Sequence, residues 1–159
     1  MNRLKQIYVF LFFCAGVVTQ AVGADDPIRP NVIVINLDDA GYADFGFSGD
    51  ALIETPNMDA LARSGVICTR GYVTASVCTP SRMGLISGRY QQRFGAECNV
   101  PTVPTPGYTK EDLGLDVEQE TLGDAMRASG YRTMAIGKWH LGVLPRYHPS
   151  ERGFDEFYG

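Results

Sequence analysis

Asn31-Val32-Ile33-Val34-Ile35-Asn36-Leu37 is a dense, β-branched apolar run that follows Pro27 and Pro30. A short run apolar on both faces and bounded by prolines predicts a strand buried on both sides of a parallel sheet. Its C-terminal end delivers the chain to Asp38 and Asp39.

Downstream, Thr55-Pro56 supplies an N-cap followed by proline at the first helical position, Met58, Leu61 and Ala62 form one stripe, and Gly65 marks a stop. This predicts a short amphipathic helix. Val66 to Ala75 reads as a second strand, with Gly71 as an irregularity, and leads to Val77-Cys78-Thr79-Pro80, where proline and serine suit a helix start. From Asn99 to Gly114, prolines at 101, 104 and 106 with two glycines predict a long irregular excursion of the kind that carries substrate contacts. Thr121 and Asp124 have the spacing of a capping box and open a helix that carries Leu122, Ala125 and Met126 and closes at Gly130. Tyr131 to Ile136 follows as another strand. Strand, helix, strand, helix, helix, strand in this order predicts an α/β fold with a mainly parallel sheet. Such folds place ligands beyond the carboxyl ends of their strands, where Asp38, Asp39, Lys138 and His140 all fall.

Upstream, Arg3 and Lys5 precede an apolar run from Ile7 to Val18, and Val22-Gly23-Ala24 offers the small residues a signal peptidase accepts. Residues 1–24 are therefore expected to be an export signal and residues 25–159 the mature part. The run is short for a membrane span, so no stable membrane insertion is expected. The chain has 14 basic and 18 acidic residues, and removal of Arg3 and Lys5 with the leader makes the rest more acidic still. That balance argues against a cationic nucleic-acid binder. Hydrophobic content of 45% with 20% charged residues suits a soluble globular chain rather than a disordered one. Of the four cysteines, Cys14 leaves with the leader, and the odd count of Cys68, Cys78 and Cys98 asks for an explanation in an exported protein. If Cys78 is chemically consumed, Cys68 and Cys98 remain either as a pair or as two small buried thiols.

Two adjacent acids would repel if both faced one another ionised, unless a cation neutralises them. A hard divalent ion, Ca²⁺ or Mg²⁺, suits oxygen ligands of this kind. Adjacent acids after a strand also serve as a turn and helix cap, so the pair alone leaves both readings open. Lys138 and His140 flank Trp139, and if strand geometry persists they face one side while the tryptophan faces the other. Two such donors could hold the oxygens of an anion as charge builds in a transition state. Trp139 reads as packing, and His148, before Pro149, carries no motif of its own.

Cys78-Thr79-Pro80-Ser81-Arg82-Met83-Gly84-Leu85-Ile86-Ser87-Gly88-Arg89 resembles the sulfatase signature, Cys-x-Pro-Ser-Arg followed by a short helix and Gly-Arg. Gly130-Tyr131-Arg132-Thr133 through Gly137-Lys138-Trp139-His140-Leu141-Gly142 resembles that family's second signature, and Asp38-Asp39 resembles its metal site. Ile86 and Ser87 stand where leucine and threonine are commoner, departures that touch nothing catalytic. The resemblance runs from Asn31 to Arg152-Gly153-Phe154-Asp155 and covers the first part of the family's domain. It implies an alkaline-phosphatase-like sandwich, a central mainly parallel sheet flanked by helices, here incomplete at the C-terminus.

The resemblance further implies that a formylglycine-generating enzyme converts Cys78 to an aldehyde whose hydrate carries two hydroxyls. One, deprotonated against the metal, attacks sulfur and expels the alcohol; the other then loses its proton so that the hemiacetal collapses and frees sulfate, which an ordinary serine could not achieve. In these terms Asp38, Asp39 and residue 78 are metal ligands. Arg82, one helical turn on, orients the hydrate, while Lys138 and His140 hold sulfate oxygens. The implied substrate is a sulfated carbohydrate or aryl sulfate, met outside the cell or in the periplasm. Two alternatives stand beside it: a phosphate or phosphonate monoester hydrolase of related fold, and a carbohydrate-binding relative without catalysis. The remaining metal ligands, a further lysine and a leaving-group histidine come from later in the family's chain, so these 159 residues are expected to be inactive alone.

Overall fold

A computed structural model describes residues 29–49, 52–101, 103, 106, 107 and 109–159. The expected export signal, residues 1–24, lies outside the described residues. Among those described, no helix is long and apolar enough to cross a membrane. The chain divides into two units, one ending at Asn36 and the other spanning Leu37–Gly159.

In the first unit the run expected to be a buried strand has no ladder partner among the described residues, and its side chains are exposed, Ile33 by 84%. The β-branched pattern is there, but a strand buried on both faces exists only where neighbouring strands supply hydrogen bonds and helices cover it. The second unit begins with two single-turn 3₁₀ segments, Tyr42–Asp44 and Gly46–Ser48, which lead to helix α1, Pro56–Ser64. Thr55 stands at the N-cap with proline next, as expected. Its hydroxyl, however, accepts the Gly46 N–H and donates to the Asp59 carboxylate, tying the preceding turn to the helix instead of capping it. Of the expected stripe, Met58 and Ala62 are half-buried and Leu61 is exposed.

The expected strand from Val66 to Ala75 is irregular, with a turn at Thr69 and Arg70 closed by Gly71 N–H to Cys68 O. Cys68 and Cys98 are both free and exposed, so they form neither a disulfide nor buried thiols. Helix α2, Cys78–Ser87, opens where Pro80 and Ser81 predict and ends at Gly88 in the left-handed conformation. It buries Thr79, Pro80, Met83 and Gly84. Met83 meets Leu115 and Leu141 in the core, surrounded by Ile86, Phe94, Val100 and Trp139. Burial of each such side chain stabilises by about 1.5–3 kcal/mol. Leu115 N–H donates to Leu141 O at 2.8 Å, so the core joins α2 to the segment that follows Lys138.

Helix α3, Leu122–Ala128, carries the capping box the spacing predicts: Thr121 Oγ1 accepts the Asp124 N–H, and the Asp124 carboxylate accepts the Thr121 N–H. Its buried position is Gly123, while Leu122 and Ala125 are exposed. Gly130 follows at φ +84. Strand β1 is confined to Met134–Ile136 and pairs in parallel with β2, Glu156–Tyr158, with Met134 opposite Glu156. The expected start at Tyr131 is lost at Thr133: its carbonyl still accepts the Asp155 and Glu156 N–H groups at the edge of the ladder, but its N–H donates to the Asp155 carboxylate and not to a strand carbonyl. The Thr133 N–H and then its hydroxyl, both donating to the Asp155 carboxylate, hold that carboxyl below the usual carboxylate range.

Arg152, 3% exposed, serves three backbone carbonyls, Leu115, Asp116 and Gln119, and so clamps the end of the excursion. Next to it, Gly153 at φ +85 crosses α3 so closely that a Cβ there would lie 2.0 Å from Asp124 N and 2.3 Å from Gly123 C. Both atoms are backbone and cannot swing away. Gly153→Ala is expected to cost roughly 3–5 kcal/mol, from left-handed strain and overpacking together. A urea midpoint within error of the parent would show that the crossing is looser than this.

Candidate active site

Three separate segments converge on Asp38. Lys138 Nζ donates to its Oδ2 at 2.6 Å and Arg82 Nη2 to its Oδ1 at 3.2 Å. The same Lys138 ammonium donates to Cys78 Sγ at 3.3 Å, and Arg82 Nη1 donates to the Lys138 carbonyl. Arg82 therefore braces both Asp38 and the backbone of Lys138, and only 13% of its side chain is exposed. The structure gives it these partners, with no bond to Cys78 itself. Hydrogen bonds from Lys138, then from Arg82, hold the Asp38 carboxyl below its ordinary range. The bond to Asp38 and then that to Cys78 push the Lys138 ammonium up. At neutral pH this is a carboxylate between two cations, all in contact with solvent.

Asp39 lies at φ +58, a conformation uncommon outside glycine and most tolerated by Asp and Asn. In extended backbone two adjacent side chains point to opposite faces, whereas this left-handed turn lets both acids serve one site. One carboxylate oxygen from each and Cys78 Sγ lie within 4.8 Å of one another. The residues fit a hard divalent ion: two carboxylates converge, each Asp38 oxygen keeps a lone pair beyond its bond to Lys138 or Arg82, and the side chain at 78 completes one face.

His140 departs from the expected arrangement. Strand β1 stops at Ile136, Gly137 takes φ +90 and His140 φ +59, so the alternation that would set Lys138 and His140 on one side does not carry through. Among the described residues its Nδ1 is buried without a hydrogen-bond partner. The ring lines a cleft of about 500 Å³ with Val143, His148 and Phe157. Trp139 packs as expected, edge-on to Phe154, with its indole N–H donating to Tyr147 O at 2.7 Å. His148 accepts the Ser150 N–H and meets Phe157 edge-on, a structural role consistent with its lack of a motif.

Asn99, read from the sequence only as the start of the irregular excursion, contacts the helix that bears Cys78: its Oδ1 accepts the Thr79 N–H at 2.9 Å. The one signal that pointed to such a partner is Val77, which stands at the N-cap of α2 and has no side-chain acceptor to offer.

The sulfatase family model matches residues 30–159. The chain belongs to the sulfatase family. Over 141 residues it is 35% identical to N-acetylgalactosamine-6-sulfatase of Mus musculus, covering 87% of this chain and 26% of that protein. Arylsulfatase A of Homo sapiens is 41% identical over 132 residues, 82% of this chain and 25% of that protein. The crystal structure of Ps i-CgsB in complex with k-i-k-neocarrahexaose superposes with a TM-score of 0.67 at 39% identity, over 77% of this chain and 26% of that one. The chain thus spans about a quarter of the length of the relatives it matches. With solved sulfatase-family structures as neighbours and a parallel β1–β2 pair of its own, it has part of the alkaline-phosphatase-like α/β fold.

Proposed function

We propose that residues 25–159 form the N-terminal part of an exported sulfuric ester hydrolase and carry the nucleophile side of its active site. The observation that carries this is the meeting of Cys78 with Asp38, Asp39 and Lys138. Formylglycine made from Cys78 by a formylglycine-generating enzyme supplies, as its hydrate, one hydroxyl to attack sulfur and a second to allow release. A divalent ion, Ca²⁺ or Mg²⁺, held by Asp38, Asp39 and residue 78, supplies Lewis acidity toward the sulfuryl oxygens.

The chain's own residues do the rest. Lys138 sets a fixed positive charge beside residue 78, where an anionic sulfate must approach. Arg82 keeps Lys138 and Asp38 in register through its fork of donors. Residue 78 is the first of α2, so the positive end of that helix also favours a sulfate there. His140 is assigned to the sulfate or sugar side because a buried ring nitrogen without a partner costs about 1–3 kcal/mol, which a ligand oxygen would relieve. Sulfated carbohydrate is the favoured substrate class. The name of the Mus musculus relative specifies a sulfated amino sugar, and Ps i-CgsB was solved with an oligosaccharide bound.

Turnover of an aryl sulfate, phosphate and phosphonate by the full-length enzyme, with residues 25–159 alone assayed beside it, tests the reading. Sulfate hydrolysis by the full-length enzyme only is expected. A phosphate preference overturns the substrate class, and equal activity of the short chain overturns its assignment as part of a site.

A further inference from the structure

We infer that Asn99 is a positioning residue for Cys78, acting as the missing cap of α2 from 20 residues downstream, an inference that rests on Cys78 being the nucleophile. A helix start leaves up to four N–H groups without intrahelical acceptors, and a Ser, Thr, Asp or Asn at the N-cap usually serves the second or third helical position. Here the N-cap is Val77, which makes no side-chain bond, and Pro80 at the third position has no N–H. The group left to serve is the Thr79 N–H, and it is the one Asn99 Oδ1 takes. The clasp is reciprocal, since Val100 N–H donates to Thr79 Oγ1 at 3.2 Å. Thr79 is 0% exposed, so water cannot replace either bond. Val100 in turn packs against the cluster of Met83, Leu115 and Leu141, which anchors the clasp to the core.

Thr79 N belongs to the peptide plane that leaves the Cys78 Cα, so fixing that plane fixes the ψ of Cys78 and the direction of its Cβ. Removing the acceptor frees the first turn to fray. The side chain at 78 then leaves its contact with Lys138 and its place beside Asp38 and Asp39. A displacement of about 1 Å at a reacting group costs on the order of 100-fold in rate.

The test uses full-length enzyme with matched formylglycine content, read from the mass of the peptide that contains residue 78. Asn99→Ala should lower kcat on an aryl sulfate by roughly 10- to 100-fold with KM within about twofold. Asn99→Asp, which keeps the acceptor and adds a charge favoured at a helix N-terminus, should recover most of it. Amide exchange at Thr79 should be slow in the wild type and Asn99→Asp and fast in Asn99→Ala. Unchanged kcat with only a lower melting temperature, a rise in KM alone, or slow exchange at Thr79 in Asn99→Ala would each overturn the inference. A wild type that does not hydrolyse sulfate esters, while exchange follows this pattern, would instead sink the reading of Cys78.

Discussion

Cys78→Ala in the full-length enzyme abolishes turnover, by roughly 10⁴-fold or more, while the fold and weak substrate binding persist. Alanine removes the only side chain at this position able to be oxidised to an aldehyde, and with it the nucleophile. It leaves intact the burial of Thr79, Pro80 and Met83 that holds α2. The half-buried Cys78 side chain makes one polar contact among the described residues, with Lys138, so its truncation removes little packing. Cys78→Ser separates nucleophilicity from release. A serine hydroxyl can attack sulfur but has no second hydroxyl on the same carbon to eject sulfate, so the variant is expected to stall after one turnover with sulfate esterified to the serine. Intact-mass measurement after exposure to substrate detects the adduct. Repeated turnover by Cys78→Ser at near the wild-type rate would exclude the aldehyde-hydrate mechanism, and an unmodified thiol in protein from its native host would favour a carbohydrate-binding relative.

What the sequence made legible here was local. The capping box of Thr121 and Asp124 needs a span of only three residues and formed as its spacing predicts. The start of α2 is written in Pro80 and Ser81, and Arg82 falls one turn from Cys78 because both lie on that helix. Long-range commitments were hidden. The ladder that Asn31 to Leu37 would need has to come from strands at least a crossover connection away, as parallel pairing requires. The span from Thr79 to Asn99 has no periodicity that could announce a clasp. Thr133 shortened β1 through bonds to Asp155, 22 residues on. The arrangement of Lys138 and His140 depended on a strand continuing through Gly137, and the glycine at φ +90 was the visible warning that it would stop. Asp38-Asp39 pointed to a cation by charge alone, whereas the left-handed turn at Asp39 is a backbone fact without a signature of its own.

Asp38→Asn and Asp39→Asn together are expected to remove the bound divalent ion and, with it, activity. Asparagine keeps the size and one acceptor oxygen of each acid but removes the formal charge that attracts a hard cation. Loss of several kcal/mol of charge stabilisation corresponds to roughly 10²- to 10³-fold or more in rate. The two positions separate in their side effects. Asp39→Asn removes a carboxylate that forms no ion pair among the described residues, so it should weaken metal affinity with the rest of the cluster in place. Asp38→Asn also strips Lys138 and Arg82 of their shared anion. The Lys138 ammonium, raised chiefly by Asp38, should then fall back toward its ordinary value. The sign for Asp38 itself runs the other way. Its carboxyl is held low, so its pairing is fully present above the ordinary carboxylate range and is lost as pH falls through the depressed folded value. The cluster should therefore stay intact through mildly acidic conditions in which an unpaired carboxylate would begin to protonate. Elemental analysis of the purified variants gives metal content independently of any rate, with aryl sulfate hydrolysis measured on the same samples. Full metal occupancy in the double variant would put the cation elsewhere and reduce Asp38 to the partner of Lys138 and Arg82.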